Sequence, residues 1–454
     1  MRDNTNKRPT LRDWSRRATV WPLLLLVAGV TLCASGCPTQ RSPIQRALDY
    51  LDAVQIKKDR SDRGHADYRG NWPQVFHFKN VSGYRIDDVS PFVVVFAHHA
   101  LATITPATKD LLELSDADLQ SARDMRVLAV ECLDRFQSDD HAHDAGTFGF
   151  WPYDQDVGEE NTPLESLLLD LLQGPILGGT RAPINLTYFP PTLAVPADAD
   201  VTATVYAALL DHHEIDDGPA VTTDIGALFG PNRHIGDVPL RFDPAWLDEN
   251  SGAYLTWFMD NEPDALQYGN DVDLVVNANV LFALARYGNA GTEGFSETAS
   301  LINDAIENGL HRTEWDDISL YYPASYVFHY CVSRAYAEGP VPELEASVAQ
   351  LVAEIIDDAL RCPDGTAHWD KGHPQLNTAF AVLSLINAGA DTPLIDRGVA
   401  YLERSQNPVS GAWDEAPFFI ARADSGIVIE WESAPLTTAI ALEALCKAKL
   451  RSSP

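Results

Sequence analysis

The sequence predicts an all-α fold, six helical hairpins closed into an (α/α)6 toroid around a central cavity. Three observations predict it. One short apolar motif recurs: Thr202-Ala203 through Ala208-Leu209, Asn277-Ala278 through Ala283-Leu284, Thr378-Ala379 through Ser384-Leu385, and Thr438-Ala439 through Ala444-Leu445, with a looser copy ending at Ala100-Leu101. The closing leucines lie 108, 75, 101 and 60 residues apart, and the interval of 101 leaves room for a further unit that residues 326–336 fill. Self-similarity of this kind is the signature of a repeat architecture. Each copy is apolar nearly all round, as a helix buried on both sides is, and most are preceded by an amphipathic segment: 44–54, 119–136, 297–310, 344–360 and 394–405. The intervening loops repeat as well, with Gly70 and Trp72, Gly149 and Trp151, Gly252 and Trp257, Trp315, Gly365 and Trp369, then Gly411 and Trp413. Strand signals are few and hairpin turns nearly absent.

Taken in chain order, the first segment stands outside this pattern. Lys7, Arg8, Arg12, Arg16 and Arg17 precede an apolar run over 21–32. That run is shorter than the ~20 residues a spanning helix needs and has the length of a signal peptide. It ends Ala34-Ser35-Gly36-Cys37, which resembles the bacterial lipobox. The resemblance implies lipidation of Cys37 and a cell-envelope location, in contact with the membrane through the lipid anchor only. Ordinary cleavage after Ala34 or Gly36 is the alternative. Residues 1–36 are thus read as a lipoprotein signal peptide, 37–42 as a linker and 43–450 as the toroid. The Pro, Gly and Asp content of 155–197 and 211–250 marks them as loop insertions.

Charge limits the partners. The net charge is −32, while 45% hydrophobic and 9% aromatic residues are globular values, so the excess sits on a folded surface. Such a surface repels nucleic acid and an anionic membrane face. Besides Cys33 and Cys37, Cys132, Cys331, Cys362 and Cys446 allow three disulfide pairings, and no Cys-x-x-Cys motif points to zinc or redox chemistry.

Counting back from the first residue of each inner motif, Asp198 and Asp200, Asp271 and Asp273, His373, Glu432 and Asp88 all enter the N-termini of inner helices. They therefore face one mouth of the toroid. Convergent acids beside a histidine and tryptophans at one end of an apolar cavity describe a binding or catalytic site. Helix capping explains single acids equally well, since Asp is favoured at N-caps. It does not require acids in pairs.

The repeat pattern over roughly 40–450 resembles the terpene cyclase and protein prenyltransferase toroid superfamily, and Gln406 to Trp413 is similar to the Gln-x-x-x-Gly-x-Trp repeat of squalene-hopene-type cyclases, with one extra residue. Asp198-Ala199-Asp200-Val201-Thr202-Ala203 resembles the Asp-x-Asp-Asp-Thr-Ala signature of protonation-initiated cyclases, with Val201 in place of the last Asp. The resemblance implies a cyclase- or isomerase-like enzyme with Asp200 as the general acid and Asp198 as its partner. Asp271, Asp273, His373, Glu432, Trp369 and Trp413 would line the site around a small apolar ligand. A carbohydrate-active enzyme using the same acids on a glycan, and a toroid that binds a protein or lipid and catalyses nothing, stand as alternatives. Diphosphate chemistry lacks the clustered Arg and Lys it needs. No metal site is assigned: 139–144 and 211–214 are rich in Asp, Glu and His but fit no zinc spacing.

Overall fold

The computed structural model describes residues 41–62, 65–79, 85–138, 146–152, 196–236, 238, 240, 244–258, 270–422 and 428–452. The signal peptide, Cys37, 139–144 and nearly all of 155–197 lie outside the described residues.

Helices alternate along the chain between amphipathic and wholly apolar. The first pair is α1 (Pro43–Val54) and α2 (Pro91–Ala102), the second α3 (Asp116–Leu133) and α4 (Ala199–Asp216). Short α5 (Ile225–Phe229) leads to α6 (Leu274–Arg286). Then come α7 (Phe295–Glu307), the one-turn helices α8 (Leu310–Thr313) and α9 (Trp315–Ile318), and α10 (Val327–Ala337). The last four are α11 (Glu345–Asp358), α12 (Pro374–Asn387), α13 (Leu394–Ser405) and α14 (Ala434–Arg451). The apolar helices pack in the order α2, α4, α6, α10, α12, α14, and α14 returns to α2, so their contacts close on themselves. Every side chain of α6 from Leu274 to Leu284 is buried. By contrast, α13 buries only Leu394, Ile395, Gly398 and Leu402, the stripe at helical spacing that meets α12 and α14. Helix α4 runs to Asp216, so the interruption expected from residue 211 starts after that residue.

The recurrent residues are explained by one hydrogen-bonding device. The hydroxyls of Thr378 and Thr438 accept the backbone N–H of Trp369 and Trp413, at 3.1 and 3.2 Å, and Thr202 and Asn277 hold Phe148 and Tyr254 in the same way at 2.9 Å. The indole N–H groups of Trp72, Trp369 and Trp413 donate to the carbonyls of Leu51, Ile355 and Leu402, near the C-terminal ends of α1, α11 and α13. Each such tryptophan ties its loop to the last turn of the helix; the Leu51 and Leu402 carbonyls also accept the backbone N–H of Gln55 and Gln406. Glycine is required beside it: Gly411 has φ +81°, and a Cβ there would lie 2.2 Å from the Arg46 carbonyl oxygen.

Strands are more numerous than the sequence suggests. Besides the short pairs β1 (Arg60–Asp62) with β2 (His65–Asp67) and β5 (Leu360–Arg361) with β6 (Ala367–His368), an antiparallel sheet runs in the order β4 (Ile86–Asp88), β3 (Gln74–Phe78), β8 (Val428–Glu432), β7 (Pro417–Arg422). Phe76 pairs with Trp431, and Trp431 with Phe419. The sheet therefore joins the first helical pair to the last, and its strands lead directly into α2 and α14. None of Cys132, Cys331, Cys362 and Cys446 is in a disulfide. Among the described residues no helix is long and apolar enough to cross a membrane.

Candidate functional site

Asp198 and Asp273 are N-caps. The Asp198 carboxylate accepts the N–H of Val201 at 2.6 Å, and Asp273 accepts those of Val275 and Val276 with one oxygen and those of Leu320 and Tyr321 with the other. Asp273 thus ties the start of α6 to the loop that precedes α10. Asp200 caps nothing. It sits in the first turn of α4, 2% exposed, with Oδ1 accepting from the Asn279 amide at 2.7 Å and Oδ2 from the Tyr322 hydroxyl. Asp271 accepts from the Tyr321 hydroxyl. Asp88, at the end of β4, accepts from two indoles, Trp431 at 2.6 Å and Trp151 at 3.3 Å.

Burial dominates the titration of these groups because the ionised carboxylate loses its water. It pushes Asp88 and Asp200 up to about 6 and Asp273 to about 7, while hydrogen bonds to the ionised forms pull each partway back. Asp198 is raised well above the ordinary range, first by burial and then by the charge of Asp200. Two buried acids that line one cavity, both with raised proton affinities, can hold a proton well above the ordinary carboxylate range.

Aromatic rings cover the acids. Phe419 of β7 stacks on Tyr321 with centroids 5.6 Å apart and 8° between planes, stacks on Phe92 at 5.3 Å, and lies 5.0 Å from Phe150 and 5.3 Å from Trp431. Phe92, Phe150, Trp257, Tyr321 and Phe419 enclose, with Asp198 and Asp200, a cavity of about 10 Å³. That is room for one water molecule. A larger surface concavity of about 830 Å³, bordered by 224–233 and 288–293, contains none of these acids.

Below Asp200 a polar chain follows the axis of the ring. The Arg334 guanidinium donates to Asn279 Oδ1 at 2.7 Å and lies 4.4 Å over the Phe282 ring. Tyr330 donates to Glu443 at 3.0 Å, and Lys447 pairs with Glu443 at 2.7 Å and with Glu338. His99 stands 3.5 to 3.6 Å from Asp211, Glu338 and Glu443. Arg334 thereby balances the Asp200 and Glu443 charges inside the ring, which leaves the centre filled.

The remaining residues marked in the sequence are placed elsewhere. His373 is exposed at the N-cap of α12 without capping it, and Glu432 turns to the far face of its strand, where Arg85 and His77 flank it. Alternation along β8 explains the latter, since Trp431 next to it takes the inward position. Trp369 and Trp413 are 0% and 1% exposed, committed to the helix-end hydrogen bonds described above, and present no face to the cavity. Asp211 and Glu214 pair with Arg286. Missing from the sequence reading are Tyr321, Tyr322, Phe419 and Trp431, which lie in loops or strands, and Asn279, Arg334 and Glu443. The last three carried a signal: each is a polar or charged residue flanked by apolar neighbours within a helix that is buried over most of its length.

No protein-family model matches the sequence, and no curated protein matches it. Among solved structures the chain is similar to type II terpene cyclase MstE from Scytonema in its apo form, at 14% identity over 90% of this chain and 98% of that one, with a TM-score of 0.49. A protein from Actinoplanes is similar at 15% identity over 89% of this chain and 98% of that one, with a TM-score of 0.45. The ent-copalyl diphosphate synthase from Streptomyces platensis is similar at 17% identity over 79% of this chain and 50% of its own, with a TM-score of 0.43.

Proposed function

We propose that this chain is an (α/α)6 toroid of the terpene cyclase kind that binds an apolar, isoprenoid-like ligand at the inner-helix N-terminal mouth and transforms it by carboxylic-acid chemistry. One observation carries the reading: the buried carboxyl of Asp200, whose proton affinity is raised by burial, opens onto a cavity lined by five aromatic rings together with Asp198, Thr256 and Val276. Asp200 is the general acid, its proton affinity raised by burial, and Asp198 is its neighbour, raised further by burial and by the Asp200 charge. The proton passes from Asp200 to a carbon of the ligand's double bond, and the cation formed faces Phe92, Phe150, Trp257, Tyr321 and Phe419. Aromatic faces stabilise cations in this arrangement. Loss of a proton from an adjacent carbon to the Asp200 carboxylate restores the acid, so the net reaction is an isomerisation or cyclisation. Asp271, Asp273 and Asp88 hold the mouth together. A ligand of isoprenoid size enters by displacing Phe419 from the stack, since the closed cavity admits only a water.

A second reading is favoured by the filled centre: a toroid that binds a protein or lipid and catalyses nothing. Both oxygens of Asp200 and of Asp273 already accept hydrogen bonds from the protein. The glycan reading loses its stacking platforms, because Trp369 and Trp413 are enclosed. Native mass spectrometry of the protein after exposure to a lipid extract and, separately, to an oligosaccharide mixture separates the three. A retained apolar ligand supports the cavity, a shortened or unsaturated oligosaccharide moves the chain to glycan chemistry, and neither signal leaves the scaffold reading.

A further inference from the structure

A second titratable cluster lies apart from the acid cavity and independent of the reading above. His311 follows Gly309 on α8, His329 sits on α10 and Glu354 on α11, so three separate helices bring these side chains together. One ring nitrogen of each histidine and one carboxylate oxygen lie within 4.8 Å of one another. Both histidines are buried, 5% and 6% exposed, and their Nδ1 atoms have no hydrogen-bond partner among the described residues. These orphaned atoms are not the Nε2 atoms that face the carboxylate; they show that neither ring is committed to another described protein group through Nδ1.

The carboxylate is aimed at the imidazoles. Gln350 donates to Glu354 Oε1 at 3.2 Å and to the Ile306 carbonyl at 2.8 Å, which fixes the carboxylate plane and leaves Oε2 towards the histidines. Oε2 is 2.6 Å from His311 Nε2 and 4.0 Å from His329 Nε2. Ligands about 2.1 Å from a tetrahedral zinc ion are roughly 3.4 Å from each other, a spacing these two distances bracket. Arg312 Nη1 also reaches Oε2, at 3.3 Å, but this half-exposed side chain keeps Asp358 through Nη2 when an ion takes its place. The two imidazoles are borderline donors, which select the zinc class over calcium or magnesium, and a carboxylate completes many zinc sites.

We propose that His311, His329 and Glu354 bind one divalent transition-metal ion of the zinc class, which ties α8 and α11 to α10. The full-length protein, stripped with chelator, is titrated with zinc by calorimetry and with cobalt by visible absorption. One ion per chain is expected, with the absorption of four-coordinate cobalt and a melting temperature that zinc raises. Glu354→Gln and His329→Gln should each weaken zinc binding by about 100-fold or more, given that even outer-shell changes cost about 10- to 100-fold. His98→Gln should leave the stoichiometry at one. It removes a member of the cluster His98, His212, Asp216, whose carboxylate is already committed to Arg126. If His329→Gln fails to fold, judged by circular dichroism, the partly solvated Glu354 carries the test alone. Absence of zinc and cobalt binding by the wild-type chain, or binding that Glu354→Gln leaves unchanged, overturns the proposal.

Discussion

Replacing Asp200 by asparagine should stabilise the protein at neutral pH, an outcome opposite to the usual cost of a core substitution. Burial moves this carboxyl from 3.8 to about 6 in the folded chain. At about 1.4 kcal/mol for each tenfold change in proton affinity, keeping it ionised above that pH costs the fold about 3 kcal/mol. The folded carboxyl holds its proton more tightly than the unfolded one. Its contribution is therefore fully present below about pH 4 and is lost as pH rises through about 6. Asparagine has the same shape, accepts from Asn279 through its carbonyl and donates to the Tyr322 oxygen through its amide, at the cost of the acceptor that the Tyr322 hydroxyl now has, which trims the gain. Urea unfolding followed by tryptophan fluorescence, wild type against Asp200→Asn, should show a gain of about 1–3 kcal/mol at pH 7.5 that shrinks to about half near pH 5. A loss of stability at pH 7.5, or a gain that does not shrink on acidification, refutes the reasoning that Asp200 is a charge held against its own solvation.

Other substitutions probe the frame around the site. Arg126→Met removes the bidentate partner of Asp216, both side chains being 1% exposed, leaves it only the longer contacts to Arg123 and His212, and should cost about 3–5 kcal/mol in chemical denaturation. Phe419→Ala removes the ring that fills the mouth. It should cost about 3–5 kcal/mol and enlarge the cavity enough for a small apolar probe such as benzene, detectable as a ligand-dependent rise in melting temperature. Gly411→Ala forces a Cβ against the Arg46 carbonyl at a positive φ and should destabilise the chain by more than about 2 kcal/mol, measured by thermal unfolding.

How much of this was legible depends on the range over which each feature is specified. The inner helices are readable because every residue of such a segment is buried, and a run such as Leu274–Leu284 has no polar face to confuse with anything else. The recurrent Thr or Asn and the Gly and Trp of the loops are readable as a repeat, though only the structure shows that the tryptophans close helix ends and do not face a ligand. The four-stranded sheet escapes because Phe76 meets Trp431 across more than 350 positions and each strand is only three to six residues long. Counting back from helix starts finds Asp198, Asp200, Asp271 and Asp273 but misplaces Glu432. In an extended segment one residue changes the face, and Trp431 is the inward one. Phe419 has no local signal at all, since its position over Asp200 is set by pairing with β8.

Under the proposed function Asp200 delivers a proton to an apolar ligand. Incubation in deuterated water with isoprenoid chains bearing a terminal alkene or epoxide, with products followed by mass spectrometry, tests this. An isomerised or cyclised product carrying one deuterium on carbon is expected from the wild-type protein, and none from Asp200→Asn once circular dichroism shows that variant folded. Unchanged chains from the wild type, or equal deuterium incorporation by Asp200→Asn, would contradict it.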